Sequence, residues 1–109
     1  MLKVYVAGPY TGGDQVVNVR NAVLVSNHLF NLGFAPYCPH LNAHWHAIAP
    51  RPYEDWMTLD LEYLGVCDVL LRMEGESPGA DREVRAMLDL GRPVCYSISE
   101  LCELFGVPV

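Results

Sequence analysis

Residues 67–91, CDVLLRMEGESPGADREVRAMLDLG, predict a strand–loop–helix unit that indicates the fold class of the chain. Its opening run, CDVLLRM, is apolar almost without interruption, which is typical of a central strand in a parallel sheet covered on both faces. Residues 80–90 then predict a helix, and Gly91 follows at the position where a helix end favours a positive φ. The segment therefore predicts one strand and one covering helix of a parallel α/β domain.

The same alternation of strand and helix runs through the rest of the chain. Further strands are predicted at 2–7, 34–39 and 92–97, and further helices at 16–32, 53–64 and 97–106. Residues 38–52, rich in Pro, His and Asn, predict a long loop. The pattern favours a three-layer, flavodoxin- or Rossmann-like α/β sandwich around a parallel sheet of four strands, or five if the terminal GVPV adds one. Residues 1–109 are expected to form a single domain.

The composition argues against several classes of function. Seven Lys and Arg against thirteen Asp and Glu leave a net charge of 7 − 13 = −6, whereas proteins that bind nucleic acid electrostatically usually have a basic face. No apolar run approaches the ~20 residues of a membrane span. The chain starts directly with a strand instead of a secretory leader, and its four cysteines form no CxxC pair. We therefore expect reduced thiols, no nucleic-acid or membrane partner, and a cytoplasmic location.

Polar and aromatic residues concentrate in the loops that follow the predicted strands. In parallel α/β sheets the ligand crevice lies beyond the carboxyl ends of the strands, where the strand order reverses. The loops predicted at that edge are 8–15, 38–52, 74–79 and 97–98. Their composition makes this edge the candidate binding site.

The first of these loops contains GPYTGG, residues 8–13. Gly8 and Gly12 would let backbone N–H groups approach a sugar or an anion, and Tyr10 offers a stacking face and a hydroxyl. The motif is neither GxGxxG nor a P-loop. A binding loop and a simple turn both fit it.

The second loop contains PHLNAHWH, residues 39–46, with three histidines around Trp45. Imidazole is a common zinc ligand, so His40, His44 and His46 admit a metal-dependent hydrolase. No HExxH motif is present, and no Cys or acid stands at a recognised ligand spacing, so no metal is expected. A pocket wall with Trp45 stacked on an aromatic base, and a polar surface loop, are the other interpretations.

Two acids on predicted helices are the candidates for catalysis. Asp60 lies beside the apolar face of helix 53–64 and is also compatible with a solvated position. Glu83 is predicted in the first turn of the next helix, after Ser77 and Gly79. Helix N-terminal N–H groups bind anions, and an acid in the first turn also complements the helix dipole. Both a ligand site and a simple helix start fit the loop.

In their order, the segments VYVAGPY, PYCPH, DLEYLGVCDVLL, SPGADREV and AMLDLGRPV resemble the nucleoside 2-deoxyribosyltransferase superfamily. That superfamily includes the 2′-deoxynucleoside 5′-phosphate N-hydrolases, and the chain is most similar to its small bacterial and phage members. The resemblance spans nearly the whole chain. Its most specific elements are Asp60, then Cys67-Asp68, then the spacing of Ser77, Gly79 and Glu83.

The resemblance implies cleavage of the N-glycosidic bond of a (deoxy)nucleoside or its 5′-monophosphate, without a cofactor. It implies that Glu83 attacks C1′ to give a covalent glycosyl-enzyme, that Asp60 protonates the departing base or orients the sugar, and that Tyr10 places the sugar and the nucleophile. Paired carboxylates suit a transition state of oxocarbenium character. The residues expected to contact the substrate are Gly8, Gly12, His40, Trp45, Ser77 and Gly79.

The chain departs from the superfamily at one position. Phosphate-dependent hydrolases usually carry a basic residue after the double glycine, and Asp14 stands here. Arg20, Arg51 or Arg82 would then have to supply the charge for a 5′-phosphate. The resemblance also implies a homo-oligomer. It leaves open hydrolysis or transfer, and a non-catalytic nucleotide-binding domain on the same fold is the alternative function.

Overall fold

The computed structural model describes residues 1–109 and contains a four-stranded parallel sheet. The elements in chain order are β1 (Lys3–Ala7), α1 (Gln15–Asn31), β2 (Ala35–Tyr37), a 3-10 turn (Pro39–Leu41), α2 (Asn42–Ile48), α3 (Tyr53–Leu64), β3 (Val69–Arg72), α4 (Pro78–Asp89), β4 (Val94–Cys95) and α5 (Ile98–Phe105). The strand order is β2-β1-β3-β4. The chain adds β2 on one side of β1 and then β3 and β4 on the other side. The strand order therefore reverses between β1 and β3, and folds of this kind bind ligands at that point.

The two faces of the sheet bury different sets of residues. On one face Val4 and Val6 of β1 pack with α1 and α5, whose contributions include Leu29 and Leu101. On the other face Tyr5 and Ala7 of the same strand pack with Leu64 of α3 and with Ala80 and Met87 of α4. The alternation follows from the two-residue period of a strand. The predicted three-layer α/β sandwich with a parallel sheet is confirmed.

Several predicted boundaries are wrong in detail. The predicted loop 38–52 contains the 3-10 turn and α2, because Pro39 sits in the first turn, where its fixed φ favours a helix. The fourth strand has two residues instead of six, and GVPV adds no fifth strand. The helix predicted from residue 80 begins at Pro78, since Ser77 is its N-cap and accepts a hydrogen bond from the Ala80 N–H.

Three further features of the structure concern the cysteines, the helices and Asp68. All four cysteines are buried and unpaired, as expected for reduced thiols. None of the helices combines the length and the apolar character that crossing a bilayer requires. Asp68 accepts a hydrogen bond of 2.7 Å from the backbone N–H of Lys3, so it ties the start of β1 to the residue before β3.

Candidate active site

A cavity of about 760 Å³ lies at the carboxyl ends of the strands, on the face covered by α3 and α4. Its walls come from the loop after β1, the 3-10 turn with α2, α3, and the start of α4. Three of the four loops predicted at this edge therefore contribute to it. Loop 97–98 does not, because it lies beside a separate groove that is lined partly by α1.

Glu83 is the buried carboxylate of this cavity, with only 6% of its surface exposed. Since α4 begins at Pro78, Glu83 lies in the second turn, and the acid in the first turn is Asp81. The prediction of a first-turn position is therefore wrong. Ala80, Glu83 and Met87 are the buried residues of α4, and their helical spacing places them on one face. Glu83 thus points from the core face of the helix into the end of the cavity.

The partner of Glu83 is Tyr5, which lies at the centre of β1 and has no exposed surface. The Tyr5 hydroxyl donates a hydrogen bond to Oε2 of Glu83. Burial raises the pKa of Glu83 to about 7; the Tyr5 hydrogen bond opposes this shift, and the charge of Asp60 adds to it. Glu83 is thus a carboxyl group that exchanges its proton close to neutral pH.

Asp60 is half-buried on α3 and also lines the cavity. Its Oδ1 atom lies 3.4 Å from the Tyr37 hydroxyl and 3.4 Å from Nδ2 of Asn42, both of which donate to it. Burial raises its pKa to about 6, and the Tyr37 hydrogen bond opposes the shift. The cavity therefore holds two carboxyl groups whose protons are lost well above the usual range for acids.

Two tyrosines on neighbouring strands support these two carboxyl groups. Tyr5 of β1 and Tyr37 of β2 are paired in the parallel register, and their ring centroids lie 5.5 Å apart. Tyr37 in turn stacks on Tyr63 of α3, at 4.8 Å and 12° between planes. Each phenol meets one carboxylate, so strand register and helix packing together set how the two acids face the cavity.

The first loop contributes Gly8, Tyr10 and Gly12 to the cavity wall. The Tyr10 hydroxyl accepts a hydrogen bond of 3.1 Å from Gln15, and its ring packs edge-on against His40. A Cβ atom on Gly8 would lie 3.0 Å from Cβ of Met73, so a glycine lets the ends of β1 and β3 approach closely. The hydroxyl that contacts the buried carboxylate is that of Tyr5, not that of Tyr10.

The three histidines of this segment lie in three different environments. His40 is buried, lines the cavity, and its Nε2 atom donates a hydrogen bond of 2.9 Å to the Pro9 carbonyl. Burial lowers its pKa. His44 is exposed, and His46 accepts from the Trp56 indole. His, Cys, Asp and Glu side chains form no group of three that could hold a metal ion, so the three histidines do not make a metal centre together.

Trp45, expected to stack on a base, does not line the cavity. The short helix α2 leaves it 47% exposed, with its ring edge-on to Trp56 at 4.9 Å. Trp56 lines the cavity in its place. The prediction for Trp45 is wrong because α2 stands where a loop was predicted. In a helix neighbouring side chains point in different directions, so Trp45 and the cavity-lining residues of α2 do not share one face.

Ser77 and Gly79 lie at the start of α4 and line the opposite wall. Ser77 caps the helix with its hydroxyl, 3.1 Å from the Ala80 nitrogen. A Cβ atom on Gly79 would lie 2.9 Å from the Tyr53 hydroxyl, so this glycine allows α4 to begin against α3. The N-terminal end of a 12-residue helix thus opens onto the cavity.

Of the three arginines considered for a 5′-phosphate, two line the cavity. Arg51 is paired with Asp55 at 2.9 Å, and Arg82 is paired with Glu54 at 2.8 Å. Arg20 is exposed on α1 and does not line the cavity. The available positive charge therefore lies at the α3–α4 side and is balanced by acids of α3.

Four residues of the site were not predicted from the sequence: Tyr5, Tyr37, Asn42 and Trp56. Their signal, where one existed, was a hydroxyl inside an otherwise apolar strand, as in KVYVA. A buried Tyr hydroxyl requires a hydrogen-bond partner, which here is the catalytic candidate itself. Trp56 and Asn42 gave no comparable signal, since each is unremarkable in its local sequence.

Comparison with known proteins places this geometry in a structural class. The fold is that of the nucleoside 2-deoxyribosyltransferases. A 2-deoxyribosyltransferase from Bacillus psychrosaccharolyticus is similar with a TM-score of 0.61 and 24% identity, over 84% of this chain and 69% of that chain. A second one, from Leishmania mexicana, has a TM-score of 0.64 and 17% identity, over 86% of this chain and 62% of that chain. At these identities the likeness shows a shared fold.

The family itself follows from the sequence match. Residues 2–97 match the family described as a domain of unknown function (DUF7768), and the chain belongs to that family. None of the curated proteins matches the chain.

Proposed function

We propose that this domain, residues 1–109, cleaves the N-glycosidic bond of a 2′-deoxynucleoside or its 5′-monophosphate, as an N-hydrolase or a deoxyribosyltransferase. One observation carries the proposal. Glu83, which is buried, and Asp60, which is half-buried, line the same cavity, and their pKa values are raised to about 7 and about 6. Two carboxyl groups on one site can hold one charge and one proton near neutral pH, as glycosidic cleavage requires.

In the proposed reaction a Glu83 oxygen attacks C1′ of the sugar. The bond between C1′ and the base nitrogen breaks, and its electron pair leaves with the base, which takes a proton from Asp60. In the second step water, in a hydrolase, or a second base, in a transferase, attacks C1′ of the glycosyl-Glu83 intermediate and gives its proton to Asp60. The bond between C1′ and the Glu83 oxygen breaks, and Glu83 leaves as a carboxylate. No cofactor takes part, since two carboxyl groups supply both the nucleophile and the acid.

The other proposed contacts follow from the cavity wall. Tyr5 positions Glu83 through its hydrogen bond, while Tyr10, Gly8 and Gly12 line the space for the sugar. Trp56 and His40 border the base, and the 5′ end would lie at Ser77 and Gly79. The N–H groups at the start of α4 suit a phosphate there, and a small-molecule substrate fits a cavity of about 760 Å³.

Burial raises the pKa values of both Glu83 and Asp60 toward neutral pH. The proposed roles require Asp60 to hold the proton and Glu83 to be ionised when the substrate is bound. Positive charge developing at C1′ favours an ionised Glu83 at that stage.

The test is incubation with deoxynucleosides and their 5′-monophosphates, followed by chromatography for the free base and mass spectrometry of the quenched protein. We expect base release and a glycosyl adduct on Glu83 in the wild type, and neither in Glu83→Ala. A substrate whose base leaves without protonation should restore turnover in Asp60→Asn but not in Glu83→Ala. Base release that survives Glu83→Ala would overturn the nucleophile assignment. Binding without any release would favour a nucleotide-binding domain.

A further inference from the structure

His46 lines the cavity but takes no part in the proposed chemistry. We propose that His46 is a fixed hydrogen-bond donor that selects nucleobases presenting a carbonyl oxygen over their amino counterparts. This inference rests on the proposed function, because it names the class of base that the same site accepts.

The Nδ1 atom of His46 is occupied by two hydrogen bonds. The indole Nε1 of Trp56 lies 2.9 Å from it, and the backbone nitrogen of Arg51 lies 3.2 Å from it. Both groups can only donate. Nδ1 must therefore act as the acceptor, and the single proton of the neutral imidazole lies on Nε2. In the other tautomer an N–H group at Nδ1 would face the N–H groups of Trp56 and Arg51, and neither of these can accept a hydrogen bond.

The orientation of the ring is fixed by two elements of the fold. The Trp56 indole belongs to α3, and the Arg51 nitrogen belongs to the segment that leaves α2. Trp56 also packs against the imidazole at 5.7 Å and against Trp45 on α2 at 4.9 Å. Because a hydrogen-bonded and packed ring has little freedom to rotate, the polarity that it presents to the cavity is constant.

The Nε2–H group is the polar atom of this ring that remains for a ligand. His46 borders the cavity together with Trp56, Asn42 and Asp60. Asp60 is the proposed proton donor to the base, so the base would lie against this wall. An N–H donor pairs with a carbonyl oxygen of the base, whereas an exocyclic amino group at the same place sets two donors against each other.

The expected preference is for 6-oxopurines over 6-aminopurines and for 4-oxopyrimidines over 4-aminopyrimidines. A single net hydrogen bond at a half-buried position corresponds to about tenfold in affinity. The Arg51 backbone and the Trp56 indole serve only to fix the tautomer, so they are positioning groups and not contacts to the base.

Two substitutions separate the donor role from a structural role. In His46→Gln the side-chain amide reaches the former Nε2 position, so the donor is kept and the acceptor for Trp56 is lost. In His46→Asn the amide lies near the former Nδ1 position, so the acceptor is kept and the donor is lost. We expect His46→Gln to keep the oxo preference with a lower melting temperature, and His46→Asn to lose it with a melting temperature near that of the wild type.

The measurement uses two matched pairs, deoxyinosine with deoxyadenosine and deoxyuridine with deoxycytidine. Turnover is measured in the wild type and both His46 variants, and affinity is measured by calorimetry with the same variants made in the Glu83→Ala protein. An oxo preference of about tenfold that disappears in His46→Asn supports the inference. Equal binding of both members of each pair, or a preference unchanged in His46→Asn, would overturn it.

The two proposals fail in different ways in this experiment. A His46-dependent preference in binding, without base release from any substrate, contradicts glycosidic cleavage and leaves the base selection intact. Base release with no preference that depends on His46 contradicts the base selection and leaves the cleavage intact.

Discussion

The two faces of the sheet in this domain are built from the same strands but have different contents. Toward α1 and α5, the cluster that packs on the sheet consists of apolar side chains and cysteines, from Val4 and Val6 to Leu101. Toward α3 and α4, the buried set begins with Tyr5, whose hydroxyl meets the buried carboxylate of Glu83. Successive residues of β1 therefore serve a dry core and a polar site in alternation.

The α1–α5 face of the sheet is built for stability, whereas the α3–α4 face carries the candidate active site. Apolar packing on the α1–α5 face is favourable without any accompanying cost of desolvation. The α3–α4 face instead buries two carboxyl groups, and burial of the charged form is unfavourable, as their raised pKa values show. We expect substitutions on the two faces to have opposite effects on activity and on the free energy of unfolding.

The largest expected effect is that of Glu83→Gln. Loss of the proposed nucleophile should lower kcat/KM by about 10³-fold or more. The folded-state pKa is raised from the usual 4.5 to about 7, so the stabilisation from the protonated Glu83 is complete below about pH 4.5 and is lost as the pH rises through 7. Gln cannot ionise, so the variant should be more stable than the wild type at pH 8, as measured by urea unfolding.

A Glu83→Gln variant that loses both activity and stability at pH 8 would contradict this expectation. Such a result would mean that the Glu83–Tyr5 contact stabilises the fold, and that the two faces differ only in composition.

On the opposite face, Leu101→Ala should act on stability alone. Leu101 has no exposed surface and belongs to the apolar cluster, so the truncation removes buried contacts and leaves a cavity. The free energy of unfolding should fall by about 2–5 kcal/mol, while kcat and KM per folded molecule stay at the wild-type values. Denaturant titration and steady-state kinetics below the melting temperature measure the two quantities. A changed KM would show that the dry face is coupled to the site.

The fold could be predicted from the sequence because its signals are local and repeated. Runs such as KVYVA and VLLR, each followed by a helical segment and a glycine, specify a parallel α/β sheet whatever the exact boundaries. The prediction failed for α2, because Pro, His and Asn were interpreted as loop residues. Pro39 in fact starts a turn, and the side chains of α2 are not buried, so no apolar period marked this helix.

The site could be predicted from the sequence only in part. Glu83 and Asp60 became catalytic candidates through the resemblance to a known superfamily, since their local sequence also fits a simple helix start and a solvated acid, and the structure places both at one cavity. Tyr5 did not, because in sequence it is one more apolar residue of a strand, and its role depends on a helix 78 positions away in the chain. Likewise, which of Trp45 and Trp56 lines the cavity depends on how α2 packs on α3, which is a tertiary property.

A smaller effect on activity is expected for Tyr5→Phe, because Tyr5 contacts both Glu83 and Tyr37. The ring, and hence the packing with Tyr37, is kept, while Glu83 loses its donor. A hydrogen bond to a charged group is worth roughly 10- to 100-fold in rate when it favours the reactive ion. Because this hydrogen bond lowers the pKa of Glu83, its loss should raise that pKa further and move one limb of the pH profile of kcat/KM to higher pH.

The matched control is Tyr37→Phe, which removes the corresponding hydroxyl from Asp60. There the pKa of Asp60 should rise, since the Tyr37 hydrogen bond lowers it, and the other limb of the profile should move instead. If both variants shift the same limb, the two carboxyl groups do not have the separate roles proposed.

The smallest expected effects come from two serines with the same structural task on different sides of the molecule. Ser77 caps α4 and Ser97 caps α5, with hydroxyl-to-nitrogen distances of 3.1 Å and 3.0 Å. Either serine changed to alanine should lower the free energy of unfolding by about 1 kcal/mol. Only Ser77 lines the cavity, so Ser77→Ala should also raise KM for a 5′-monophosphate, whereas Ser97→Ala should leave it unchanged. Equal KM values in both variants would show that Ser77 is a helix cap alone, and that the phosphate end of the substrate lies elsewhere, with Arg51 and Arg82 as the remaining candidates.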